Sequence, residues 1–88
     1  MVELPEVTDV EALVAAIGRL SREQNVLRAK GFLAVKGKPM RLLVQSVGER
    51  VRHQFDKPWG AKPRQSKLVV IGEQGEIDES AIRAGLGV

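Results

Sequence analysis

Hydrophobic positions along this 88-residue chain change their period three times, and the changes mark out its elements. Residues 2–7, Val-Glu-Leu-Pro-Glu-Val, alternate apolar and polar around a proline, as an edge strand does. Val10, Leu13, Val14, Ile17 and Leu20 then recur at the spacing of one helix face. The spacing predicts a helix over residues 9–22. Thr8 and Glu11 stand at capping-box separation at its start. Asp9 and Glu11 in the first turn and Arg19 and Arg22 in the last suit the helix dipole. Gly18 inside the helix costs about 1 kcal/mol of propensity and points to close packing on a sheet.

From Val26 the period becomes two. Residues 26–36 read as a strand, with Gly31 marking a bulge or a close approach. Gly37-Lys38-Pro39 is a turn, residues 40–47 form the return strand of a hairpin, and Gly48 turns the chain again. Over residues 49–56, Val51, His53 and Phe55 share one face while Arg50, Arg52 and Gln54 share the other. Pro58, Gly60 and Pro63 make residues 57–65 a loop, which carries the single tryptophan, Trp59. Residues 67–71, Lys-Leu-Val-Val-Ile, are apolar enough for a central strand covered on both faces. Asp78 caps a short final helix, with Ile77 and Ile82 placed as a hydrophobic staple. The order β-α-β-β-β-β-α predicts an α+β fold: one mostly antiparallel sheet with both helices on one face, forming a single domain over residues 1–88. Residues 32–35 and 42–47 carry aliphatics on both faces, which leads us to expect a second covering layer from another domain.

Charge adds an asymmetry. Residues 19–67 hold thirteen lysines and arginines against three acids, a net of +10, while the flanks sum to −7. Such a basic middle suits an acidic partner, a nucleotide or nucleic acid; the plainer reading is a set of solvated strand faces.

Several chemistries are excluded. The chain has no cysteine, which removes disulfides, thiolate ligands and thiol nucleophiles. It has no GxxxxGK[ST] phosphate loop and no GxGxxG turn. His53 is the single histidine and cannot alone supply a three- or four-ligand metal set, so it stands only as a weak metal candidate. No segment reads as a signal peptide or a membrane span, and a cytoplasmic protein is expected.

Four segments together carry a family resemblance. Leu27-Arg28-Ala29-Lys30-Gly31-Phe32-Leu33 resembles the LRxKGxL signature of the CobW C-terminal domain. Residues 41–48 look like that family's hairpin strand and turn, Lys57-Pro58-Trp59-Gly60 resembles its PWG loop, and Leu68-Val69-Val70-Ile71-Gly72 is similar to its following strand. No piece is specific alone; four in order and spacing are. The resemblance implies a non-catalytic accessory domain of a GTP-dependent metallochaperone. The family's GTP, magnesium and zinc or cobalt belong to another domain, so this segment itself needs no cofactor. The implied partners are the GTPase domain of the same protein and a metal-requiring client, with cobalt delivery to cobalamin synthesis the best-known role.

Within that frame Arg28 and Lys30 project to one strand face and are candidates for partner binding. Trp59 is either a plug folded over the sheet or an exposed anchor for a partner. Arg50 and Arg52 read as solvated, and Phe32 and Phe55 as core. The alternative function is a small basic nucleic-acid-binding module, disfavoured because aromatics are 3% of the chain and tyrosine is absent.

Overall fold

Gly31 explains how the centre of the sheet closes. A Cβ at this position would lie 2.0 Å from the Lys67 carbonyl oxygen and 2.9 Å from the Leu68 Cα, both backbone atoms of the neighbouring strand. No other residue permits that approach without moving the backbone. The close approach expected at Gly31 is therefore real. The bulge lies elsewhere, between Val26 and Arg28, and leaves Leu27 exposed.

The structure is a computed structural model and describes residues 1–73 and 75–87, with residues 75 and 76 as backbone. Its elements are β1 (Val2–Leu4), α1 (Val10–Glu23), β2 (Val26–Ala34), β3 (Met40–Val47), β4 (Arg50–Pro58), β5 (Ser66–Gly72), β6 (Gly75–Glu76) and α2 (Glu79–Leu86). The main path of the sheet runs β1-β5-β2-β3-β4, every pair antiparallel, with β6 extending β5. This is the α+β architecture and element order read from the sequence, with β6 added as a two-residue return. The β5 strand, read from the sequence as central, is interior but off-centre, flanked by β1 and β2, and β2 is the middle strand of the path.

Both helices lie on one face. Ile17 and Leu20 of α1 and Ile82 of α2 join Leu33, Leu42, Val44, Leu68 and Val70 in one buried cluster. The strand members alternate with outward residues, as the pleat requires. Within the core, the Ser66 hydroxyl accepts a hydrogen bond from the Ala34 amide at 2.9 Å. At the periphery, Val7 forms an isolated parallel bridge with Val35, where a longer β1 was expected. Arg64 ties its loop down by donating to the Val35 and Lys38 carbonyls and to Glu6.

Three local expectations change. The N-cap of α1 is Asp9, whose carboxylate accepts from the Ala12 amide at 3.0 Å, rather than Thr8. Asp9 stands one residue nearer the helix and offers a charged acceptor to its first amides. Gly18 is not demanded by packing, since a Cβ there would meet the Glu49 carbonyl oxygen only at 3.9 Å. The third concerns β5, which is covered on one face only: Leu68 is fully buried whereas Val69 is 39% exposed. Asp78 caps α2 as expected, accepting from the Ser80 amide. Among the described residues no helix is long and apolar enough to cross a membrane.

Candidate partner-binding face

The sheet face away from the helices carries the side chains that the core does not use. Register sets them in rows across the strands. Ile71, Arg28, Val47 and Arg50 form one row; Val69, Lys30, Gln45 and Arg52 the next; Lys67, Phe32, Leu43 and Gln54 the third. Adjacent strands are about 4.8 Å apart, so Lys30 and Arg52, two strands from each other, stand about 10 Å apart across Gln45.

Arg28 and Lys30, the two candidate cations, are both exposed on this face. The pairing brings Arg50 and Arg52 beside them, where the four line one groove of 630 Å³ with Gln45 and Val47. Read strand by strand, Arg50 and Arg52 looked merely solvated; the β2-β3-β4 register is what makes them neighbours of Arg28 and Lys30. Val47, in the midst of these cations, is 67% exposed.

Trp59 is half-buried and walls a second groove of 620 Å³ together with Phe32, Pro63, Val69 and the lysines Lys30, Lys62 and Lys67. It is thus part plug and part accessible wall. Its amide donates to the Pro39 carbonyl and its carbonyl accepts from the Lys62 amide, which fixes the loop against the β2-β3 turn. The indole Nε1 is shielded from solvent and has no acceptor among the described residues.

Phe32 is not a core residue. It sits on the open face beneath the Arg41 guanidinium, 3.8 Å from its ring centroid. Arg41 in turn makes a two-pronged ion pair with Asp56, Nε to Oδ1 at 2.8 Å and Nη2 to Oδ2 at 2.9 Å. These hydrogen bonds, more than the charge attraction, hold the Asp56 carboxyl below the usual carboxylate range and raise the guanidinium. Phe55 is also not core, being 41% exposed on edge strand β4. Both corrections have one cause: the helices cover one face of β2, β3 and β5 and leave the outer half of β4 bare.

His53 pairs with Val44 and so projects to the helix-side face, opposite Arg28 and Lys30. It lies beyond the helices' cover and is exposed. Among the described residues no group of three His, Cys, Asp or Glu side chains converges to hold a metal.

A family model described as "Cobalamin synthesis protein cobW C-terminal domain" matches residues 1–88. The chain belongs to the CobW C-terminal domain family. The zinc chaperone CobW of Pseudomonas aeruginosa is 51% identical over 82 residues, covering 92% of this chain and 21% of that protein. The zinc chaperone CobW of a Sinorhizobium species is 45% identical over 87 residues, covering 98% and 24%. The zinc chaperone YjiA of Escherichia coli K12 is 36% identical over 86 residues, covering 96% and 26%. The chain therefore spans 21–26% of the length of these relatives. A crystal structure of a Zn(II)-bound triple mutant of the YjiA GTPase superposes with a TM-score of 0.75 at 33% identity, over 97% of this chain and 27% of that one.

The sequence has no phosphate loop, and among the described residues no ligand cluster is present. What the domain offers is a surface, apolar toward Trp59 and cationic toward Arg50.

Proposed function

We propose that this chain is a non-catalytic accessory domain of a GTP-dependent metallochaperone and that its open sheet face, through Arg28, Lys30 and Trp59, binds protein partners. The observation that supports this is the division of the sheet: helices bury one side, while the other carries grooves, exposed aliphatics and cations. A small domain that leaves such a face bare has a use for it in assembly. The partners in this reading are the GTPase domain of the same protein and a metal-requiring client in the cytoplasm. Three relatives are named zinc chaperones. Zinc is therefore the proposed cargo ahead of cobalt. The cargo and GTP are handled by the GTPase domain.

The test is reconstitution in trans. The isolated chain is expected to hydrolyse no GTP and to bind the purified GTPase domain of its own protein in calorimetry, and Arg28→Ala is expected to weaken that binding. GTP hydrolysis by the chain alone, above that of an Arg28→Ala control, would overturn the reading.

Nucleic acid is less favoured by the same geometry. Base stacking needs open aromatic faces, and Arg41 covers one face of Phe32.

A further inference from the structure

Resting on the partner-binding reading, the geometry points to the chemistry of one partner: an acidic polypeptide segment with a bulky apolar anchor, seated with the anchor at Trp59 and its carboxylates along Arg28, Lys30, Arg50 and Arg52.

Two observations carry this. The first is uncompensated charge. Ion pairs among the described residues include Arg22 with Glu49, Arg41 with Asp56 and Arg64 with Glu6. Arg28, Lys30, Arg50, Arg52, Lys62 and Lys67 have no such partner among the described residues. Neither groove is lined by a carboxylate. Cations gathered on one concave face repel one another, and an anionic partner relieves that repulsion.

The second observation is continuity. Lys30 lines both grooves, so the apolar groove of Trp59, Phe32, Pro63 and Val69 runs directly into the cationic one. Phe32 and Arg28 are four residues apart on β2, about 13 Å along an extended strand. A partner that matches this track carries its apolar anchor within about four extended residues of its carboxylates. The mostly apolar floor at Trp59 suits a leucine or aromatic side chain, and the lysines at its rim, Lys30, Lys62 and Lys67, face the partner's carboxylates. A second copy of the chain is a poor occupant, because a two-fold pairing of this face sets Arg28, Lys30, Arg50 and Arg52 against the same cations.

The experiment is a display selection of random peptides of about 12 residues on the immobilised chain, followed by titration of the enriched peptides. Trp59 is the sole tryptophan, so its fluorescence reports binding at the groove. Enriched sequences are expected to combine Asp or Glu with a leucine or aromatic residue, to shift Trp59 emission, and to lose about tenfold or more in affinity to Lys30→Glu. Lys30 is exposed, so this variant is expected to keep the fold, which circular dichroism checks. Absence of enrichment, enrichment without an acidic bias, or undiminished binding to Lys30→Glu would sink the inference. So would tighter binding of a single-stranded oligonucleotide than of any peptide, or a self-association that the peptides compete away. The GTPase domain is titrated against the same variant in parallel. Binding to that domain without selection of acidic peptides overturns only the inference; acidic peptides without binding to that domain overturn only the accessory-domain reading.

Discussion

The Arg41–Asp56 pair shows how one contact can shape a surface. Its side chains are only 17% and 20% exposed, and the pair pins the guanidinium over Phe32. Asp56 titrates below its ordinary range because Arg41 holds its charged form by hydrogen bonding. A carboxylate depressed in the folded state contributes stability that is complete above its unfolded value, near pH 4, and disappears as pH falls through the folded one. Wild-type protein is therefore expected to melt above Asp56→Asn at pH 6, with the gap closing as pH is lowered below about 4. Melting temperatures of both proteins across that range test this; a gap independent of pH would mean that the charge of Asp56 contributes nothing.

Elements in this fold owe their limits to single side chains. The start of α1 rests on Asp9, which stands against the amide of Ala12, and not on the neighbouring Thr8. Asp9→Ala is expected to lower stability by about 1 kcal/mol, a fall in melting temperature of about 4–8 °C for a domain of this size. Thr8→Ala is expected to stay within about 0.5 kcal/mol of wild type. Urea denaturation of the two variants side by side decides it, and equal losses would return the cap to a shared role. Capping-box spacing misled because Thr8, Asp9 and Glu11 all carry side chains able to cap, and the contact with the Ala12 amide is made by Asp9.

At the scale of the molecule, the open face combines exposed aliphatics with repelling cations. Val47 and Val69 are 67% and 39% exposed there. Apolar surface of this kind favours association, and like charge opposes it. Raising the salt from about 0.1 M to about 1 M shortens the screening length from about 10 Å to about 3 Å. Binding of the enriched acidic peptides to this face, followed by Trp59 fluorescence, is thus expected to weaken over that range. Affinity that does not fall with added salt would show instead that the contacts at this face are apolar.

Much of this protein follows from its sequence alone. Helical spacing from Val10 to Leu20, alternation from Val26 onward and the turns at Gly37 and Gly48 are local patterns, and local sterics and burial of one face suffice to set them. Four such segments in order also sufficed to point to the family. Other features depended on which strands lie side by side. Residues 67–71 are apolar on both sides, yet nothing within that segment says which side the helices take. Arg50 and Arg52 are unremarkable on β4 until the β2-β3-β4 register sets them beside Arg28 and Lys30. Phe32 read as core because phenylalanine usually is; an arginine and an aspartate from β3 and β4 gave it a polar roof instead. Periodicity records how often a chain turns toward the core, a property of each segment by itself. The binding face is made by contacts between segments distant in sequence, and only the folded sheet brings those together.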